Sequence, residues 1–260
     1  MKVGEKNIRG YLVDLDGVLY VDRTPVPGAA NVVQRWVDGH IPRFYLTNTT
    51  TKSRASIEKK LREMALPIAA EEILTAPEAA KSYLMAKGSP VCNFVLNSEV
   101  LADFADFRQS DTAADAVLIG DIGNAWTYDL LNRVFRLVSG GAELIALHRN
   151  KFWQTEAGLQ MDIGAFVAGL EYVTGKSATV IGKPSPAIFA VALARLGLHP
   201  HYVAMIGDDI ETDIGAAQAQ EMAGILVRTG KYRESHVRAS GITPDLVLDS
   251  VADLPPEFLA

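Results

Sequence analysis

The stretch RGYLVDLDGVLYVD, residues 9–22, ends an apolar run on two aspartates, Asp14 and Asp16, with Gly17 following at once. Residues two apart on extended backbone face the same side, so the two carboxylates repel unless a positive charge lies between them. Three further apolar runs end on complementary groups. FYLTNTT closes on Thr47, Asn48 and Thr49, VIGKPSP carries Lys183, and MIGDDIETD closes on Asp208 and Asp209 with Asp213 one helical turn on. Carboxylates, hydroxyls, backbone amides and one lysine together suit a phosphoryl group and Mg²⁺, an ion that takes oxygen ligands from one or two carboxylates plus a substrate phosphate. Asp14 and Asp208 can supply those carboxylates, and the Asp16 backbone carbonyl a third ligand. The ion and Lys183 would keep Asp14 ionised as a nucleophile on phosphorus. Thr47 and the amides around Asn48 and Thr49 can stabilise charge on the transferring group. Asp16 is placed to protonate the departing alkoxide and then to activate water. Taken singly, each piece also has a plain reading: turn residues at 14–16 and 47–48, a solvated lysine, and a helix cap at Asp208–Asp209.

These groups need strands that end on one edge. Nearly continuous apolar runs predict strands over residues 10–15, 42–48, 91–97, 115–121, 143–148, 177–183, 202–209, 223–230 and 245–250. Such runs are typical of strands buried on both faces of a parallel sheet. Helical faces alternate with them: Ile57, Leu61 and Met64 mark one, and Phe189, Leu193 and Leu196 another. Thr75 with Glu78 and Pro77 signals one helix start. Ser185-Pro186 signals a second, which Gly197 can close. The fold class is α/β with mostly parallel strands. In such sheets ligands bind where the strand order reverses.

The chain has 260 residues, 48% of them hydrophobic, and a formal net charge of −6. That length fits one large domain or a core with an inserted one, and the charge argues against nucleic acid or an anionic membrane as partner. No apolar run of about 18 residues predicts a membrane span. The first ten residues lack the apolar segment of a secretion signal. The single cysteine, Cys92, reads as a strand residue and fits a reducing, cytoplasmic compartment. Strands between roughly residues 77 and 180 end in fewer reactive groups, which points to an inserted domain.

The motifs DLDGVLY, LTNTT, GKPSP and GDDIETD, in that order, resemble the four motifs of the haloacid dehalogenase superfamily. The resemblance implies a Rossmann-like α/β core with a parallel sheet, formed by residues 1–76 and 181–260. It implies Asp14 as nucleophile and Asp16 as acid/base. Thr47, Asn48, Thr49 and Lys183 would bind phosphate, and Asp14, Asp16 and Asp208 would hold Mg²⁺. Asp209 and Asp213 would orient metal waters and Lys183. An insertion between the second and third motifs is similar to the α/β cap of the NagD-like phosphatases, here residues 77–180. GKPSPAIF, GDDIETDIGAAQ and GILVRTGKY resemble the subgroup around phospholysine phosphohistidine inorganic pyrophosphate phosphatase. That branch implies a small phosphorylated metabolite as substrate, a cap that excludes water and sets specificity, and a homodimer.

Within the cap, His148, Arg149 and Asn150 end a strand and are candidates for contact with the leaving group. Asp162 stands where the family has a glycine- or proline-rich turn; it is either a specificity residue or an N-cap for 165–170. Competing function classes remain in view. A phosphoramidate or pyrophosphate hydrolase would share the mechanism. A carbon–halogen hydrolase needs no metal, so Asp208 argues against it. A phospho-receiver would be shorter and has no use for Asp16. A catalytically silent scaffold would not keep every motif position.

Overall fold

The computed structural model describes residues 2–4, 6–155 and 158–258. The chain divides into two compact units, one comprising Met1–Thr47, Arg54–Leu74 and Lys183–Ala260, the other Asn48–Ser53 and Thr75–Gly182.

The first unit is built on a six-stranded sheet. Its order is Leu246–Leu248, Ala223–Val227, Val203–Gly207, Gly10–Asp14, Arg43–Thr47, Ile73–Thr75. The pairings from Leu246–Leu248 through Arg43–Thr47 are all parallel. After Gly10–Asp14 the chain builds outward to one side, then returns at Val203–Gly207 to build the other side. The order therefore reverses between those two strands, which is where an α/β sheet leaves a crevice at its carboxyl edge. Register sets what lines that edge. Asp14 lies opposite Leu46 and Val13 opposite Ile206, so Asp14, Thr47 and Gly207 finish together.

Every residue of Gly10–Asp14, Val203–Gly207 and Ala223–Val227 is buried. Helix Ala29–Asp38 covers the sheet with Ala29, Val32, Val33 and Trp36. The Trp36 ring stacks on Tyr11 at 5.3 Å between centroids, and its Nε1–H donates to the Phe258 carbonyl at 3.0 Å. Helix Arg54–Glu63 buries Ile57 and Leu61, with Met64 packed beside them. Helix Pro186–Leu196 is capped by Ser185, which accepts from the Ala187 N–H, and ends at Gly197. It buries Ile188, Phe189 and Ala192, while Leu193 and Leu196 of the predicted face are half-buried.

The second unit has its own parallel sheet, in the order Thr179–Val180, Glu143–Ala146, Ala116–Ile119, Cys92–Val95. Thr75 caps helix Ala76–Ala86 by accepting from the Glu78 N–H at 3.1 Å. Each of the nine predicted strands is present and shorter than predicted; that over 177–183 shrinks to Thr179–Val180. The sequence reading missed an antiparallel pair, Phe152–Thr155 with Gly158–Met161. Its segment has neither an apolar run nor the Asn-Gly or Asp-Gly turn that betrays a hairpin. Cys92 is fully buried, and burial pushes its thiol up to about 11, far from a reactive thiolate. Among the described residues no helix is long and apolar enough to cross a membrane.

Glu143 ties the edge of the second sheet together. It accepts from the Tyr83 hydroxyl and Lys87 Nζ at 2.6 Å each, and from the Thr179 hydroxyl at 2.9 Å. Burial alone would raise its pKa, but the bonds from Lys87, Tyr83 and Thr179 outweigh it and hold the carboxyl below its ordinary value. A depressed carboxylate stabilises the fold above its unfolded-state pKa, and that contribution is lost as pH falls through its folded-state value. Glu143→Gln is expected to cost about 1 kcal/mol at pH 7, a modest figure because the site is partly solvated. The deficit should shrink as pH drops below about 4.3. Thermal unfolding of both proteins across that range checks this; a deficit that ignores pH would refute it.

Candidate active site

Asp14, the last residue of its strand, is buried, and its Oδ1 accepts from the Leu15 N–H at 2.9 Å. The same oxygen faces Lys183 Nζ at 2.8 Å, and Lys183 also donates to Asp213 Oδ1 at 2.7 Å. Lys183 is 4% exposed and Asp213 fully buried. Burial alone would lower the Lys183 pKa, but Asp14 and Asp213 reverse that and raise it, so the ammonium is charged.

One lysine does not balance what surrounds it. Asp14, Asp208 and Asp213 bring one carboxylate oxygen each to within 4.8 Å of one another. Burial, then the neighbouring Asp14, pushes Asp208 up to about 6, against the Lys231 N–H that it accepts. Burial likewise raises Asp213, against its bond to Lys183. Asp208 Oδ2 accepts from the Lys231 N–H at 2.6 Å, whereas the buried Oδ1 has no hydrogen-bond partner among the described residues. An orphaned carboxylate oxygen inside a cluster of hard oxygen donors fits a divalent cation such as Mg²⁺.

Close backbone approach makes the cluster. Gly17 (φ +92°) and Gly230 (φ +56°) pass so near Asp208 that a Cβ would lie 1.9 Å and 2.1 Å from its Oδ2. Only glycine suits both the left-handed backbone and the space. The Thr229 hydroxyl donates to the Gly17 carbonyl, fastening the two loops together. Reasoning from sequence missed Thr229, Gly230 and the Lys231 amide as supports. Their signal was the TGK that follows the Ala223–Val227 strand by one residue.

The other expected residues are placed as follows. Asp16 is exposed; loss of hydration at its carboxyl raises its pKa, with Lys60 opposing and Asp14 adding. Asp209 caps the π-helical turn Ile210–Gly215 by accepting from the Glu211 and Thr212 N–H groups at 3.0 Å each. Its own N–H donates to Asp213 Oδ2 at 3.2 Å. Thr47 is buried at the end of its strand, and the half-buried Asn48 and Thr49 follow as part of the second unit.

In the second unit His148 and Asp162 come together. Both are buried, with Nε2 and Oδ1 3.8 Å apart. Burial lowers the His148 pKa against the pull of Asp162 and Asp121, so the imidazole is neutral, and its Nδ1 accepts from the Asn150 N–H at 3.3 Å. Asp162 accepts from the Ile163 N–H at 2.7 Å, while helix Gly164–Thr174 begins without a side-chain cap. Asp162 also lines a cavity of about 200 Å³ with Asp121, Asn124 and the stacked rings of Trp126 and Phe166. Arg149 is exposed and pairs with Glu171 at 2.7 Å, and Asn150 is exposed.

Known proteins resemble this chain along nearly its whole length. Residues 11–107 match the model of the haloacid dehalogenase-like hydrolases, and residues 180–254 match a second, HAD-hydrolase-like, model. Human haloacid dehalogenase-like hydrolase domain-containing protein 2 is 37% identical, over 94% of this chain and 93% of that protein. Phospholysine phosphohistidine inorganic pyrophosphate phosphatase of Xenopus laevis is 32% identical, over 100% of this chain and 98% of that one. The structure of NagD from E. coli K-12 superposes with a TM-score of 0.88 at 25% identity, covering 96% of this chain and 99% of NagD. With the motifs in order, a parallel sheet whose order reverses at Asp14, and relatives matched along nearly their whole length, the chain belongs to the haloacid dehalogenase-like hydrolases, in their NagD-like phosphatase branch.

Proposed function

We propose that the chain is a Mg²⁺-dependent phosphomonoesterase working through an aspartyl phosphate on Asp14. The observation that carries this reading is the buried cluster of Asp14, Asp208 and Asp213 around Lys183, with an Asp208 oxygen left unpaired. Asp14, Asp208 and the Asp16 backbone carbonyl would hold the ion, and Asp209 would orient its waters. Bound there, Mg²⁺ would draw charge off the phosphoryl oxygens and favour ionised Asp14.

The chain's own groups carry the steps. An Asp14 carboxylate oxygen bonds to phosphorus while the bond to the leaving oxygen breaks, and Asp16 gives that oxygen its proton. Its raised pKa favours the protonated form that donates. Water then bonds to phosphorus, Asp16 takes the proton back, and the Asp14–phosphorus bond breaks to release inorganic phosphate. Lys183 holds Asp14 in place and, with the Thr47 hydroxyl and the amides at Asn48 and Thr49, binds the phosphoryl oxygens. Asp213 fixes Lys183 by a 2.7 Å bond.

The second unit takes the part of a cap that selects the leaving group, with Asp162 and His148 as its polar contacts. Arg149 is the weaker candidate because it already pairs with Glu171. The substrate is a small phosphorylated metabolite. A phosphoramidate or pyrophosphate is the second reading, favoured by the full-length similarity to the Xenopus laevis enzyme whose name specifies those substrates. A cytoplasmic location and a homodimer complete the proposal.

Asp14→Asn is expected to abolish hydrolysis of 4-nitrophenyl phosphate with the unfolding temperature retained; an active, folded variant would rule Asp14 out as nucleophile. Removing Mg²⁺ with a chelator should stop turnover reversibly, whereas an indifferent rate would favour metal-free chemistry. A hydrolysis screen over phosphomonoesters, pyrophosphate and phospholysine decides between the two substrate readings.

Cation binding should also depend on pH in a defined direction. Asp208 is pushed up to about 6, so below that value protons compete with the ion for its carboxylate. Added Mg²⁺ is expected to raise the unfolding temperature at pH 7.5 and to lose most of that effect by pH 5. Gly230→Ala, which crowds Asp208, should weaken the stabilisation at least tenfold in Mg²⁺ concentration. Equal stabilisation at both pH values, or in both proteins, would remove Asp208 from the ligand set.

A further inference from the structure

We infer that Lys60 is a positioning residue for Asp16, acting through the ring of Tyr20. The inference rests on the proposed role of Asp16 as the group that protonates the leaving oxygen. Asp16 stands in a short turn directly after the nucleophile strand. The turn is closed by the Gly17 N–H, which donates to the Tyr20 carbonyl at 2.7 Å, and Asp16 and Tyr20 pair as an isolated bridge. Tyr20 then opens the hairpin Tyr20–Val21 with Thr24–Pro25. A shift of Tyr20 therefore moves the backbone that carries Asp16.

Tyr20 is held by its side chain as well. Tyr20 is 4% exposed, and the Lys60 ammonium lies 4.1 Å from its ring centroid, within the range of a cation–π contact. Lys60 comes from helix Arg54–Glu63, which Ile57 and Leu61 anchor in the core. Its neighbour Lys59 is exposed, whereas Lys60 is half-buried. Burial works against the Lys60 charge and so does Arg23, while Asp16 and Asp22 favour it. An ammonium drawn from water towards one aromatic face and two carboxylates ties the core helix to the turn. In this role Lys60 sets where Asp16 stands.

Leaving-group chemistry separates this role from simple support of the fold. A phenolate leaving group, whose conjugate acid has a pKa of about 10 as in tyrosine, needs protonation much more than the less basic 4-nitrophenolate. Lys60→Met is expected to lose at least tenfold more kcat/KM on phenyl phosphate than on 4-nitrophenyl phosphate, with KM little changed. Lys60→Arg should recover most of the loss, since Arg also binds the ring face. Tyr20→Leu should reproduce the pattern, Tyr20→Phe should not, and Lys60→Met with Tyr20→Leu should be no worse than either alone. Equal losses on the two esters, or losses that multiply in the double variant, would overturn the inference. The Mg²⁺-induced rise in unfolding temperature shows that each variant keeps its pocket. An active Asp14→Asn protein would instead sink the underlying mechanism. An inactive one beside a fully active Lys60→Met protein would remove only the role of Lys60.

Discussion

Three carboxylates buried within a few ångströms of one another, at the point where a parallel sheet changes direction, are what the rest of this structure has to support. Each buried charge costs several kcal/mol in lost hydration, and a single ammonium recovers part of that. The remainder shows in the raised Asp208 and Asp213, and in a carboxylate oxygen without a partner. A fold selected for stability alone would not retain such a cluster. One that must bind a cation and a phosphoryl group can, because both bring the missing interactions with them.

The surrounding elements read as answers to that constraint. Fully buried parallel strands on either side give the cluster a rigid floor, and register brings Asp14, Thr47 and Gly207 to one edge. Two glycine-bearing loops cross against Asp208 where any side chain would collide. The π-helical turn after Asp209 turns Asp213 back beneath Lys183, so the lysine is gripped from both sides. In the second unit the buried polar pair is handled differently. His148 is neutral rather than charged, and a backbone N–H on Nδ1 fixes which ring nitrogen carries the proton.

Much of this was legible in the linear chain because strand burial and strand ends leave local marks. Continuous apolar runs located nine strands to within a few residues, since a strand covered on both faces has no polar side to interrupt it. Helix starts at Thr75 and Ser185 were readable because a cap is a contact between residues two or three apart. The antiparallel pairing of Phe152–Thr155 with Gly158–Met161 was not, because it is set by backbone hydrogen bonds that this mixed sequence does not announce. The buried face of helix Pro186–Leu196 was misjudged by part of a turn, because its nearly uniform apolar sequence leaves the packing partner to choose the side.

The chemistry divides along the same line. Residue type and local periodicity, which are properties of the chain, pointed to Asp14, Thr47 and Asp208 at strand ends; Lys183 instead follows its short strand by three residues. Tertiary structure alone decided that Asp213 would share Lys183 with Asp14, that the Thr229–Lys231 loop would close on Asp208, and that Lys60 would reach the ring of Tyr20. Those contacts join residues from about 20 to about 170 positions apart, well beyond the reach of any local signal. They exist because packing the sheet brings distant loops to one edge, where burial converts proximity into strong electrostatic coupling.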